Sequence, residues 1–296
     1  MKYNYYPGCS LQASAVEYDV STRAVMDALG IELLDIGDWN CCGATAAEPV
    51  SRLLSYALPA RNIALFEQNS QADILVPCSA CYLNLKKVEV DRKKNRELSA
   101  RIDEVLEEEN LVLEDPPGVR HLLDVISNDI KPGVIADRVT HELSGLRIAP
   151  YYGCQALRPY KVFDDPEEPE SMEPVIRACG AEVFEWGSGA KCCGASNMNT
   201  KKESAEVLVQ NILEDARGAD AIVTICPMCQ LNLDGFQAGI SRKAGLDLSI
   251  SVIYLPQLIG LALGLSTRDL MLNKNLALKP DFTKKIELPA KQGRAG

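Results

Sequence analysis

Cysteine is the side chain in this sequence with the type and spacing to do chemistry. Ten of the eleven cysteines form two sets of five in one order: a lone cysteine, an adjacent pair followed by glycine, and a Cys-x-x-Cys. The first set is Cys9-x31-Cys41-Cys42-x35-Cys78-x2-Cys81, and the second is Cys154-x37-Cys192-Cys193-x32-Cys226-x2-Cys229. A structural zinc takes four ligands, usually from two Cys-x-x-Cys knuckles, and each half has only one knuckle. Adjacent cysteines do not readily chelate one ion without straining the chain, but they can ligate different irons of one cluster. Five thiolates therefore favour a polynuclear iron–sulfur centre over zinc. The ferredoxin run Cys-x2-Cys-x2-Cys-x3-Cys-Pro is absent, so the cluster type should be unusual. A thioredoxin-like role for Cys78-x-x-Cys81 and Cys226-x-x-Cys229 together would leave the other six patterned cysteines unexplained.

The elements that must position these thiols repeat with them. Tyr5-Tyr6-Pro7-Gly8-Cys9 answers to Tyr151-Tyr152-Gly153-Cys154, and Ala28-Leu29-Gly30 answers to Ala178-Cys179-Gly180. Cys179 thus stands where the first half has Leu29, and free cysteine packs as a small hydrophobe, so it belongs to the core. Ala72 to Val76 before Cys78 matches Ala219 to Val223 before Cys226, and Val119 to Ile126 resembles Val252 to Ile259. Short strands at Lys2 to Tyr6, Glu32 to Ile36 and Ile74 to Val76 alternate with helices around Ala15 to Leu29 and Pro49 to Asn69. Arg147 to Ala149, Pro174 to Cys179, Glu182 to Glu185, Lys202 to Ala216 and Ala221 to Ile225 repeat the pattern. The predicted fold is α/β: two pseudo-symmetric repeats, each a small, mainly parallel sheet flanked by helices, with the cysteines at the carboxyl ends of the strands. The first repeat spans 1–145, with a charged helical insertion at about 86–117, and the second spans 146–265. Residues 266–296 read as a basic C-terminal tail, either loose or laid over a partner. Lys86 to Asn110 reads as a solvated amphipathic helix, and the acidic, proline-punctuated Asp164 to Pro174 as a surface loop.

Composition excludes several classes. At 296 residues and 47% apolar content the chain can fill two cores, and an odd cysteine count in a chain this size argues against a disulfide framework. A net charge of -10 opposes a general nucleic-acid surface. Only His121 and His141 are available for imidazole chemistry, and both read as core or surface residues. No apolar signal region precedes the first cysteine, and no run of about 18 apolar residues exists to span a membrane, so the expected location is the cytoplasm. Gly187-Ser188-Gly189 lacks the rest of a dinucleotide or P-loop signature, so electrons must arrive from a partner carrying its own clusters.

The two cysteine sets resemble the duplicated cysteine-rich CCG motif. The size, order and two-repeat form are similar to the B-type subunit of the methanogen heterodisulfide reductases, although the 32-residue gap in the second set is shorter than the motif's usual spacing. That resemblance implies two non-cubane 4Fe-4S clusters, one per repeat, each held by five cysteines. It implies reduction of the mixed disulfide of coenzyme M and coenzyme B to two thiols, in methanogenesis. The implied partners are the C-type subunit with cubane clusters and the A-type subunit with flavin. A hydrogenase or formate dehydrogenase would join them, with flavin-based electron bifurcation driving the complex. Cleaving a disulfide takes two electrons and an iron–sulfur cluster usually passes one, so two clusters facing one substrate would avoid a free thiyl radical. The anionic groups of such a substrate require cations, and Lys191 and Arg158 are the nearest candidates in sequence. Two other classes remain open: an electron-transfer CCG subunit of a fumarate, lactate, glycolate or glycerol 3-phosphate oxidoreductase, and a zinc-stabilised structural protein. Many proteins of the former kind carry ferredoxin motifs in the same chain, which this one lacks.

Overall fold

Each half alternates strands with helices, and the strands pair only in parallel. The computed structural model describes residues 1–287. In the first repeat, β1 (Lys2–Tyr5), β2 (Glu32–Asp35), β3 (Ile74–Val76) and β4 (Val119–His121) form a sheet of order β2-β1-β3-β4. In the second, β5 (Arg147–Tyr151), β6 (Glu182–Val183), β7 (Ala221–Thr224) and β8 (Ser251–Tyr254) form β6-β5-β7-β8. Inner strands β3 (ILV) and β7 (AIVT) are near-continuous apolar runs, buried throughout because helices cover both of their faces, whereas edge strand β2 is not. The fourth strand of each sheet lies at Val119 and at Val252, the two stretches whose likeness was visible in the sequence without revealing a strand. Three residues are too short a run to show a period, and pairing with β3 decides the matter.

This strand order puts a topological switch point between β1 and β3, and another between β5 and β7. At such a point consecutive connections leave toward opposite faces and open a crevice at the carboxyl ends. Cys9 follows β1 and Cys78 follows β3, so the first set flanks that crevice; Cys154 and Cys226 do the same in the second sheet.

Two expectations change. The charged stretch is a hairpin of two helices, Ser79–Lys94 and Arg96–Glu107, because Asn95 leaves the helical region and its side chain accepts the Leu98 N–H at 3.0 Å. Ile102 and Leu106 of the second helix are buried, so one face packs and only the other is solvated. The tail is not loose over its described part. Leu270, Leu272, Phe282 and Ile286 are buried, Asp234 accepts the Leu276 and Ala277 N–H groups at 2.7 Å each, and Lys285 bonds Asp220 at 2.6 Å. The rest of it, 288–296, lies outside the described residues.

One core spans both repeats, and a second, smaller one lies within the second repeat. Helix Val16–Ala28 of the first repeat packs on Leu255–Ala262 of the second, and the buried Tyr18 and Tyr254 rings stack at 4.1 Å and 7°. The second repeat has no counterpart of comparable length to Val16–Ala28; an ordered loop and the short helix Glu173–Ala178 stand in its place.

Candidate functional site

Local chemistry explains how each set is assembled. Cys78 and Cys226 are the N-cap residues of helices Ser79–Lys94 and Pro227–Gly235, which puts Cys81 and Cys229 in the first turns, among unpaired N–H groups and the positive end of the dipole. Both factors favour thiolate. Gly8 and Gly153, one residue before the lone cysteines, adopt φ of 71° and 68°. A Cβ there would stand 2.8 Å from Cys81 Sγ and 3.0 Å from Cys229 Sγ, so glycine lets the loop close on the sulfur. Gly43 and Gly194, after the adjacent pairs, also have positive φ, of 74° and 72°, and turn the chain back against the following helix.

The approach to each pair is pinned by a tyrosine. Tyr6 donates to Asn40 O at 2.7 Å, before Cys41, and Tyr151 donates to Lys191 O at 2.7 Å, before Cys192. The structural equivalents are therefore Tyr6 and Tyr151, a register one residue off the one that matching the two strings implies, because Pro7 corresponds to Tyr152. Asn62 adds a second hold on the first loop, accepting Asn40 N–H at 2.9 Å and donating to Asn40 O at 2.8 Å.

All ten patterned thiols converge as two groups. Cys9 and Cys41 sulfurs are 3.5 Å apart, Cys42 and Cys81 are 3.3 Å apart, and Cys193 and Cys229 are 3.6 Å apart. Cys9, Cys41 and Cys192 are exposed and Cys154 is half-buried, whereas Cys42, Cys78, Cys81, Cys193, Cys226 and Cys229 are buried. Each set is thus a half-open bowl with its lone cysteine at the rim. The neighbouring Cys41 and Cys81 thiols hold Cys42 down to about 4, and the neighbouring Cys154 thiol holds Cys192 down to about 6, aided by the Gly194 N–H and the charge of Arg158. Cys41 and Cys154 are correspondingly pushed up.

The two sets are joined through their Cys-x-x-Cys turns. The Tyr18 hydroxyl lies 3.0 Å from Pro77 O and 3.1 Å from Ile225 O, the carbonyls just before Cys78 and Cys226. The Cys229 and Cys78 thiols hold Cys226 well below its ordinary value, and Cys78 is raised. Ser79 Oγ reaches the same Ile225 O at 3.2 Å. His121 Nδ1 accepts the Leu123 N–H, which leaves the proton on Nε2, facing Ser79 at 3.2 Å. The ring is fully buried against Phe163, and burial holds it down to about 4, so it is neutral. Tyr18 and Ser79 carry no metal-ligand pattern, so nothing in the sequence marked them.

The cysteine outside both sets behaves as its sequence position implies. Cys179 is buried in the core, and burial alone pushes its thiol up to about 12. Arg158 and Lys191 stand at the rim of the second set with other partners: Arg158 bonds Ala190 O at 2.6 Å, Pro166 O at 3.0 Å and Glu167 at 3.1 Å, and Lys191 Nζ reaches Ser188 Oγ at 3.2 Å. Asp164, in the acidic loop, accepts the N–H groups of Asp165, Glu170 and Ser171, which orders that loop beside the site.

The donor set fits a polynuclear sulfur-ligated group. Only sulfur is presented, five atoms per bowl, and among the described residues no three or more His, Cys, Asp or Glu side chains enclose a position for a single metal ion. Cys9, Cys41, Cys42, Cys78 and Cys81 could hold one such group, and Cys154, Cys192, Cys193, Cys226 and Cys229 the other.

A duplicated parallel α/β fold whose two switch points each present five cysteines defines a class, and sequence comparison agrees with it. The chain belongs to the cysteine-rich CCG domain family, which matches residues 3–86 and 148–234. It is 33% identical over 279 residues, 93% of this chain and 96% of the other, to the membrane anchor subunit of 8-methylmenaquinol:fumarate reductase from Wolinella succinogenes. It is 29% identical over 292 residues, 96% of this chain and 97% of the other, to the B-type subunit of ferredoxin:CoB-CoM heterodisulfide reductase from Methanosarcina mazei. A crystal structure of a hypothetical protein from Helicobacter pylori shares the fold at a TM-score of 0.74 and 12% identity, covering 95% of this chain and 52% of that one. Among the described residues no helix is long and apolar enough to cross a membrane.

Proposed function

We propose that this chain is the iron–sulfur subunit of a heterodisulfide-reductase-type complex, in which two 4Fe-4S clusters of non-cubane type, one per five-cysteine set, reduce a disulfide held between them. The observation that carries this reading is the tie between the two Cys-x-x-Cys turns, where the Tyr18 hydroxyl and Ser79 Oγ reach the carbonyls before Cys78 and Cys226 and bring both bowls to one boundary. When loaded, each set supplies one-electron reduction, so the pair matches the two-electron demand of an S–S bond. The chain's own residues do the rest. Thiolates of both sets would hold the irons, Tyr18 and Ser79 tie the two Cys-x-x-Cys turns to one another, and buried Tyr6 and Tyr151 fix the loops bearing the adjacent pairs.

The relative named for CoB-CoM heterodisulfide reduction supports the mixed disulfide of coenzyme M and coenzyme B as the pattern for the substrate. Electrons would come from a cubane-cluster partner and a flavin partner in an electron-bifurcating assembly in the cytoplasm. A second reading is favoured by the 33% identity to a quinol:fumarate reductase subunit: transfer of electrons between a partner's clusters and a quinone pool.

The deciding experiment is viologen-driven reduction of the heterodisulfide by anaerobically purified protein with its iron and acid-labile sulfide counted. Turnover by the native protein is expected, with abolition in Cys42→Ala and in Cys193→Ala while roughly half the iron remains in each. Substantial activity in either variant would refute paired action. An iron-loaded chain that takes electrons but reduces no disulfide would favour the second reading.

A further inference from the structure

Lys87 is half-buried on helix Ser79–Lys94, six residues after Cys81. Side chains on a helix lean toward its N-terminus, so this one reaches back toward the turn that carries Cys81. Its Nζ stands 3.3 Å from Ser55 Oγ and 4.8 Å over the Tyr56 ring, both on helix Arg52–Asn69. The Gly43 turn, which follows Cys42, packs on that same helix: a Cβ on Gly43 would lie 2.8 Å from Leu58 Cδ1. The ammonium therefore borders the stretch that carries buried Cys42, whose sulfur is 3.3 Å from that of Cys81, and its charge acts on Cys42.

The second set lacks a cation at this place. Leu83-Asn84-Leu85 answers to Leu231-Asn232-Leu233, which aligns Lys87 with Gly235. The cations of the second set, Arg158 and Lys191, lie at its rim, where Arg158 is ion-paired to Glu167 at 3.1 Å and Lys191 is exposed. Lys87 has no ion pair among the described residues. The carboxylates whose charge reaches it are those of Glu48, which is exposed, and Asp91, which accepts the Tyr56 and Tyr160 hydroxyls at 2.7 and 3.2 Å. A partly buried charge is screened less than an exposed one, and the reduction potential of an iron–sulfur group follows the charge around it.

We propose that Lys87 tunes the first five-cysteine set: its charge raises the potential at which the iron–sulfur group held there accepts an electron, and the second set has no equivalent. The inference rests on the iron–sulfur reading above and adds that the two sets are electrically unequal despite the symmetry of their ligands. The role needs no contact with substrate and no proton transfer. A unit charge about 10 Å from the added electron, in surroundings between protein and water, changes the oxidised-to-reduced ratio at a fixed potential about tenfold. That is about 59 mV for a one-electron couple.

The test is an anaerobic potentiometric titration of iron-loaded full-length protein followed by electron paramagnetic resonance. Each wave is one electron passed from a reduced dye to the group in one set. Lys87→Met keeps the aliphatic stem over Tyr56 and removes the charge. We expect it to move one wave down by about 59 mV and leave the other in place, with Lys87→Gln matching it and Lys87→Arg keeping the native value. In a Cys193→Ala background, where only the first set is filled, Lys87→Met should shift the remaining wave; in a Cys42→Ala background it should shift none. Unmoved waves in both neutral variants, equal shifts of both waves, or a shift confined to the second set would overturn this inference and leave the disulfide-reducing reading intact. A raised KM for an anionic disulfide with both potentials unchanged would overturn it too, and would place Lys87 against substrate instead. If the anaerobic protein carries no iron and shows no wave, the iron–sulfur reading falls and this inference falls with it.

Discussion

Replacing Tyr18 with Phe isolates the bond that joins the two halves of the site. The ring would keep its stack on Tyr254 at 4.1 Å, so packing is conserved and only the hydroxyl is lost. That hydroxyl is fully buried and lies within 3.1 Å of both Pro77 O and Ile225 O. Ile225 O retains Ser79 Oγ at 3.2 Å, so the loss falls mainly on Pro77 O. Leaving a buried acceptor short of its donor costs about 1–3 kcal/mol, equivalent to roughly 5- to 150-fold in an opening equilibrium. The affected amides are those at the starts of the two helices, including Tyr82 N–H bonded to Cys78 O at 2.8 Å and Gln230 N–H bonded to Cys226 O at 2.9 Å. Hydrogen exchange by mass spectrometry on anaerobic protein should show faster exchange in peptides covering both turns, with edge strand β6 unchanged. A Ser79→Ala, Tyr18→Phe double variant should lose more than the sum of the single changes, because Ile225 O then loses both donors. Unaltered exchange at both turns in Tyr18→Phe, or acceleration in one repeat alone, would refute the claim that this hydroxyl couples them.

Further outcomes follow from individual residues. Gly8→Ala should cut bound iron to roughly half, since its Cβ would meet Cys81 Sγ at 2.8 Å and the left-handed φ of 71° adds about 1–2 kcal/mol of strain. Gly153→Ala should act less severely, its contact being 3.0 Å, and full iron content in both variants would contradict the close approach of these loops to sulfur. His121, whose ordinary value near 6.5 falls to about 4 in the folded protein, stays neutral while the unfolded chain takes up a proton. Its stabilising contribution is therefore complete above pH 6.5 and is lost as pH falls toward 4, amounting to about 3 kcal/mol. His121→Gln should flatten the stability profile across that window relative to the native protein, and an unchanged slope would refute the assignment.

Sequence alone determined the two sets of five thiols proposed as ligands, because cysteine chemistry depends on residue type and spacing, and both are written in the chain. The strand-helix alternation was equally local. Ile74–Val76 is a short apolar run bounded by Asp73 and Pro77, and Lys202–Asp215 is an amphipathic helix whose sequence shows its buried face. The charged hairpin was only half legible, since charge density announced the solvated face while burial of Ile102 and Leu106 depends on the helix they pack against. The expectation that cations near Cys154 and Cys192 would face a ligand came from chain proximity. The structure directs Arg158 and Lys191 to Ala190, Glu167 and Ser188, because a guanidinium or ammonium takes whichever acceptors the fold brings near.

What only tertiary structure decided is the relation between the halves. The strand order that creates each switch point, the bond from Ser79 to Ile225 O, and the Tyr18 hydroxyl between Pro77 and Ile225 join residues far apart in the chain. No local pattern encodes such contacts. They arise because helices Val16–Ala28 and Leu255–Ala262 bury apolar faces against each other, and that packing brings two separately legible sets of thiols together as one site.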